Sequence, residues 1–381
     1  MKNIDPKVDE AIETLNMKDG PTRRRLLSGA GLVSATAAAS ALLTACSSSS
    51  KAGGSSSNTA GDFPSTPKWQ FAFVNHVTTN PFFVPTQYGL QDAAALLGIP
   101  KPSWTGSANS NVPQMVSAMQ SAISAGASGI AVAVISATAF KTPTSKAMNA
   151  GIPVVSYNAD GNAPSDPGTN RLAYIGQDLF ASGQALGQRI VAAPQMANGG
   201  NAVGFIATPG ASNIQPRIDG AKAAIKASGK GINFSSVTSG AELPQENTTI
   251  NAYILGHKAS LKGIFAVDAG STQTVGAIIK KYSLQGKVAS GGFDLTPQTL
   301  SAIKGGFLDF TIDQQPYLQG FLPVIALFMF NLSGGLVHPA ETNTGLTFVT
   351  KDNVGPYQNT TSRFEGSATA QKLISRSGAI A

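Results

Sequence analysis

Residues 71–98 read FAFVNHVTTNPFFVPTQYGLQDAAALLG, and the fold turns on how this stretch is parsed. Phe71, Ala72, Phe73 and Val74 form an unbroken apolar run, the pattern of a strand covered on both faces in a parallel sheet. A helix is expected directly after it: Asn80 is a good N-cap, Pro81 suits the first position, and Ala93, Ala94, Ala95, Leu96 and Leu97 are strong helix formers. Between strand and helix stand Asn75, His76, Thr78, Thr79 and Asn80, then Phe82 and Phe83. In an open α/β sheet the ligand crevice lies outside the carboxyl ends of the strands, so a polar turn ending in two aromatics stands where a ligand binds.

Outward from this unit the plan repeats. Strands are expected at 103–106, 129–136, 151–158, 172–176, 203–207, 234–237, 263–268, 287–293 and 310–313. Helical segments alternate with them, including 112–125, 213–227, 247–260, 271–282, 296–304 and 319–332. Strict alternation of strand and helix is the signature of parallel sheets with helices on both faces, and about ten strands suit two sheets better than one. Residues 355–381 are polar and weakly patterned, with no assignable element.

The chain has 381 residues, 42% of them hydrophobic, enough for two domain-sized cores. A net charge of +7 with only 12% charged residues gives no basic face for nucleic acid. Lys222, Lys226 and Lys230 read as a solvated helix face. Arg23, Arg24 and Arg25 precede a mild apolar run over 30–43, and the whole resembles a twin-arginine export signal. The run is shorter than the roughly twenty residues that span a bilayer. Leu43-Thr44-Ala45-Cys46 resembles a bacterial lipobox, and Cys46 is the one cysteine of the chain. These residues predict a signal peptide over 1–45, lipidation at Cys46, a Ser/Gly-rich linker over 46–68, and an extracytoplasmic protein anchored to the cell membrane.

Four short motifs follow in order along the alternating chain: NPFF at 80–83, GIPVV at 151–155, GFD at 292–294 and DQQP at 313–316. With them the sequence resembles, over about residues 69–350, the ribose-binding type of periplasmic sugar-binding protein, the receptors that serve ATP-binding-cassette importers. The resemblance implies an α/β fold of periplasmic binding protein type I: two Rossmann-like lobes with parallel sheets joined by three hinge crossovers, near Gln177, Gln314 and Asn343. One lobe would hold 69–176 plus 315–342, the other 177–314 plus 343–381.

Carried over by motif, the expected ligand contacts are His76, Asn80, Phe82, Phe83, Arg217, Asp268, Asp294 and Gln314. Asn158 and Asp160 are added from the end of the GIPVV strand. The chemistry suits a sugar, whose C–H faces pack on aromatic rings while its buried hydroxyls need donors and acceptors. Receptors of this type commonly carry an Asp-Arg pair after that strand; here Asn158 and Ala159 stand in its place, with Asp160 one step later. A particular ligand such as ribose is therefore not carried over, and a monosaccharide or polyol is the expected class. Trp104 can line the cleft or pack behind it.

The expected partners are that small molecule, a membrane permease and, through the lipid on Cys46, the membrane; a monomer is expected, with no cofactor, no metal and no nucleic acid. His257 and His338 lack partners at metal-ligand spacing. Rival readings are a receptor for a furanose-like signal or for chemotaxis, a secreted carbohydrate-active enzyme using paired carboxylates, and a sugar-responsive repressor. A dehydrogenase is disfavoured because no Gly-x-Gly-x-x-Gly follows the first strand, and a repressor because an export signal stands where its DNA-binding motif would be.

Overall fold

The computed structural model describes residues 64–161, 168–335, 338–359 and 362–370. The expected signal peptide, Cys46 and most of the linker lie outside the described residues. Strand β1 (Phe71–Asn75) is buried throughout. Asn80 accepts from the Phe82 N–H at 2.9 Å, but what it caps is a single 3-10 turn over Pro81–Phe83. Helix α1 (Val84–Leu97) starts only after that turn, with Pro85 among its first residues, and stops at Gly98, whose φ of 64° closes it. Two prolines at the start thus produce a two-stage helix entry, with Phe82 and Phe83 in the 3-10 turn ahead of the helix.

The first half continues with β2 (Ser103–Gly106), α2 (Val112–Ser124), β3 (Gly129–Val134), α3 (Ala137–Asn149), β4 (Val154–Asp160) and β5 (Ala173–Gly176). The second half holds α4 (Leu179–Ala192), β6 (Gly200–Ile206), α5 (Gln215–Ser228), β7 (Ile232–Thr238), α6 (Leu243–His257), β8 (Leu261–Ala266), α7 (Ala269–Lys281), β9 (Ala289–Phe293), α8 (Pro297–Lys304) and β10 (Phe310–Asp313). Then come α9 (Leu318–Ser333), β11 (Glu341–Asn343), β12 (Thr347–Thr350) and α10 (Gly355–Asn359). Helix α6 starts four residues before the sequence pattern does, because Pro244 pre-sets its first turn.

The strands form two six-stranded sheets, ordered β11-β5-β4-β3-β1-β2 and β12-β10-β9-β8-β6-β7. Among the described residues every pairing is parallel except β10 with β12. Helices cover both faces of each, giving two α/β lobes. Phe73, Leu90, Val155 and Leu327 pack one core of the first lobe; Val203, Phe205, Ile264 and Ile279 pack one of the second. Strands β11 and β12 escape sequence analysis because they are edge strands of only three and four residues, too short for a period to show.

The lobes meet at three crossovers, after β5, after β10 and after β11, and buried polar side chains tie these together. Gln177 donates to the Gly345 carbonyl at 2.9 Å. Thr344 donates to the Gln314 carbonyl at 2.7 Å, and Gln319 Nε2 reaches the Gln314 side chain at 3.0 Å and Thr344 Oγ1 at 3.1 Å. The three strands of the hinge are therefore cross-linked into one unit. The sequence assigns all of 343–381 to the second lobe, and the structure corrects this for two parts. Asn343 closes β11 in the first sheet, opposite Gly176. Residues 362–370 return to the first lobe, where Arg363 forks onto both oxygens of Asp92 in α1 at 2.6 and 2.9 Å and Phe364 packs edge-on against Tyr317. Helix α10 stays with the second lobe, where Tyr357 packs on its core.

In each lobe a pair of helices crosses backbone to backbone. A Cβ on Gly183 of α4 would lie 2.3 Å from the Arg217 carbonyl, and one on Gly220 of α5 would lie 2.2 Å from the Phe180 carbonyl. Only glycine permits this approach, which fixes the start of α5 and so the root of Arg217.

Candidate functional site

A cavity of about 270 Å³ opens between the two sheets at the carboxyl ends of their strands. That is close to the lower end of the roughly 300–1,000 Å³ of small-molecule clefts, so its occupant is small. Nine of the ten expected contact residues line it: His76, Asn80, Phe82, Phe83 and Asn158 from the first lobe, Arg217, Asp268 and Asp294 from the second, and Gln314 from a crossover.

The aromatic wall is built by β1 and the turn after it. Phe83 is buried and packs edge-on against Phe82 at 4.7 Å and against His76 at 5.3 Å, with Trp104 behind it at 5.9 Å. Trp104 takes the backing role: its Nε1 donates to the Thr78 carbonyl at 3.1 Å and it packs in the core. His76 Nε2 lies 3.2 Å from Asn213 Nδ2, a contact across the cleft. With Asn213 donating, Nε2 accepts and the ring proton sits on Nδ1. Burial pushes the imidazole down to about 4, so it is neutral at ordinary pH. A second bridge between the lobes runs from the Ser212 N–H to the Ile135 carbonyl at 3.2 Å.

On the facing wall Arg217 leaves the first turn of α5 and is buried. It donates to the Val267 carbonyl at 2.8 Å and to Gln177 Oε1 at 3.0 Å, and its guanidinium carbon sits 4.1 Å over the Phe293 ring. Burial pulls its pKa downward, and the charges of Asp294 and Asp268 oppose that. Asp294 accepts from Gln314 at 2.6 Å, and burial pushes its carboxyl up to about 6 against the pull of Arg217. Asp268 N-caps α7 through Ser271 at 2.9 Å and also accepts from the Ala207 N–H at 3.1 Å. Three buried polar atoms at this cavity, His76 Nδ1, Asn213 Oδ1 and Arg217 Nε, have no hydrogen-bond partner among the described residues. Each is a donor or acceptor whose satisfaction would stabilise a polar guest.

Asp160, the tenth expected contact, is the exception. It does not line the cavity; its oxygens accept from Arg171 at 2.6 and 2.9 Å, and Arg171 also pairs with Glu341 at 2.6 Å, on the hinge side of the lobe. The cause is local. Asn158 has φ 61°, and the pairing of β3 with β4 slips between Val132 and Val134, so the alternation that would aim Asp160 with Asn158 is broken. The strand also runs on to Asp160, beyond its expected end at 158. Asn158 itself donates to Gln319 at 3.0 Å and stays at the cavity.

Sequence analysis missed Glu246, Asn213 and Ser110, which also line the cavity. Glu246 had a readable signal: it precedes Ile250 and Ile254 at four-residue spacing, and all three are buried along one face of α6. Backbone strain marks the same region. Of the five non-glycine residues with positive φ among the described residues, Ser110, Asn158 and Asp294 are at the cavity or its strand ends and Gln315 is at a crossover.

Two open parallel sheets, three bonded crossovers and a polar, aromatic-walled cavity between the sheets define a two-lobed solute-binding protein. The chain belongs to the periplasmic binding protein domain family, whose model matches residues 71–330. The xylose/arabinose-binding protein XylF of Sulfolobus acidocaldarius is 49% identical over 327 residues, 83% of this chain and 79% of that one. A solute-binding protein of an ABC transporter from Burkholderia graminis, solved with D-arabinose, superposes with a TM-score of 0.70 at 25% identity, over 78% of this chain and all of the other. A carbohydrate transporter structure from Acidothermus cellulolyticus shares the fold, with a TM-score of 0.67 at 24% identity over 79% of this chain and all of its own. The family is one of extracytoplasmic binding proteins, and the chain is a binding protein rather than an enzyme. Among the described residues no helix is long and apolar enough to cross a membrane.

Proposed function

We propose that the protein captures a monosaccharide, an aldopentose before all others, between its two lobes and presents the closed form to the permease of an ATP-binding-cassette importer. It works outside the cytoplasm as a monomer, held to the membrane by a lipid on Cys46 after removal of residues 1–45. The first lobe is 69–176 plus 315–342 and the second begins at 177, with the boundary adjustments noted at Asn343 and residues 362–370.

The observation that carries this reading is the composition of the cavity walls. Phe82 and Phe83 offer ring surface from one lobe, while Arg217, Asp268, Asp294 and Gln314 offer fixed donors and acceptors from the other side. A pentose has apolar C–H faces and a rim of hydroxyls, so it satisfies both walls at once. A ligand bonded to both lobes has higher affinity for the closed form, and that difference drives closure. The half-identical relative named for xylose and arabinose, and the neighbour solved with D-arabinose, support the pentose class.

Calorimetric titration of the protein with D-xylose, L-arabinose, D-ribose, D-glucose and myo-inositol tests the reading. One-to-one binding is expected, tighter for a pentose than for glucose or inositol by at least tenfold, about 1.4 kcal/mol. Binding of none of the five, or turnover of any, would contradict it.

A further inference from the structure

Glu246 and Asp268 both line the cavity, and their carboxyls share Ser271, which contacts Glu246 Oε1 through its hydroxyl at 3.4 Å and Asp268 Oδ1 through its N–H at 2.9 Å. Asp268 is the better-served acceptor of the two: one oxygen accepts the Ser271 N–H at 2.9 Å and the other the Ala207 N–H at 3.1 Å, and these bonds oppose the burial that pushes its carboxyl upward. Glu246 is placed differently. It is buried in the first turns of α6, and its one hydrogen-bonded hydroxyl, Ser271 Oγ, is 3.4 Å away and also lies 2.7 Å from Ser239 Oγ. Among the described residues no basic side chain forms an ion pair with it. The backbone of Gly270 lies so close that a Cβ there would sit 2.0 Å from Glu246 Oε2, which pins the carboxyl against α7. Two neighbouring carboxylates in a buried wall repel one another, and one proton between them removes the repulsion.

We propose that Glu246 is a specificity-determining residue of the sugar site that works as a neutral carboxylic acid, donating its proton to Asp268 and presenting an acceptor oxygen to a ligand hydroxyl. The proton-bearing pair is thus part of the recognition surface, and sugar affinity falls when the pair loses its proton. This rests on the sugar-binding reading above.

The charged neighbours are consistent with it. From the start of α7 the facing group is Asp268 itself; Asp294, at the end of β9, is the next carboxyl, and the charge of Asp268 adds to the burial that raises it. Arg217 from α5 lies among Asp268 and Asp294, so its charge is already shared. Burial, followed by the charge of Asp268, pushes Glu246 up to about 9. Since the neutral form is the binding form, affinity is flat at neutral pH and drops as pH rises through that value.

The test uses the full chain and two probes, D-xylose and L-arabinose, titrated calorimetrically at pH 7 and pH 10 in the wild type and Glu246→Gln. For the wild type the affinity for the bound pentose should fall about tenfold from pH 7 to pH 10, one unit above the titration point. Glu246→Gln keeps the N–H donor toward Asp268 but cannot ionise, so its ratio between the two pH values should stay below threefold. Infrared spectra at pH 7, taken without sugar, should show a protonated-carboxyl C=O band that Glu246→Gln lacks. Equal pH dependence in the two proteins, or no band assignable to Glu246, would overturn the proposal while leaving sugar binding intact. Failure of both sugars to bind at either pH would overturn the sugar reading and this proposal together.

Discussion

Arg217→Ala is expected to weaken pentose binding at least a hundredfold, about 2.8 kcal/mol, the largest loss of any single side chain at the site. The reason lies in what its removal leaves behind. The Val267 carbonyl and Gln177 Oε1 each lose a donor at 2.8 and 3.0 Å, and Phe293 loses the cation stacked on it. Asp294, already pushed up to about 6 by burial, loses the positive charge that opposes the shift and moves further toward its neutral form. One substitution therefore removes a donor from the cavity wall, loosens a crossover glutamine and alters an acceptor of that wall, and truncating a buried hydrogen-bonded charge costs about 2–5 kcal/mol. Arg217→Lys should fall between the two, since an ammonium keeps the charge but not the fork that spans Val267 and Gln177. Calorimetry with D-xylose and L-arabinose reads the loss, and circular dichroism confirms that the variant is folded. An affinity within threefold of the wild type would remove Arg217 from the site.

Gly320→Ala is expected to lower stability by about 3 kcal/mol or more, a larger effect than any surface substitution would produce. A Cβ at position 320 would lie 1.9 Å from the Thr86 carbonyl oxygen and 3.0 Å from the Leu90 nitrogen. Both are backbone atoms of α1, so no side chain can swing aside. The reciprocal contact is as tight, since a Cβ on Gly89 would meet the Tyr317 carbonyl at 2.1 Å. Helix α9 would have to move off α1, taking Gln319 away from Asn158 and from the Gln314 and Thr344 bonds of the hinge. Gly256→Ala in α6 is the matched control, with nothing within 4 Å of its added methyl; alanine there is neutral or favourable. Thermal unfolding should show a drop of roughly 6–12 °C for Gly320→Ala and little change for Gly256→Ala. Equal melting of the two variants would refute the backbone-contact account.

The site was legible where its residues stand at the ends of regular elements. His76 follows β1, Asp268 and Asp294 follow β8 and β9, and Arg217 opens α5; once strand and helix alternate along the chain, these positions must converge on the strand ends. What stayed hidden depends on contacts between distant segments. Asp160 was misread because the positive φ of Asn158 and the register slip between β3 and β4 turn it away, and its pairing with Arg171 is visible only in the fold. Asn213 lies in the loop before α5, where no periodicity speaks for it. The return of residues 362–370 to the first lobe rests on Arg363 and Asp92, which are 271 residues apart. Glu246 could have been found, because an acid on the apolar stripe of a helix either is paired or serves a site.

The two lobes already touch across the cleft through His76 with Asn213 and through Ser212 with Ile135. These contacts are few and polar, so a bound sugar that bridges both walls should hold the lobes together far more firmly than they do alone. Small-angle X-ray scattering of the protein, with and without a saturating pentose identified by calorimetry, tests that claim most directly. A smaller radius of gyration with the sugar is the predicted result; an unchanged or larger radius at full occupancy would contradict capture by closure of the lobes.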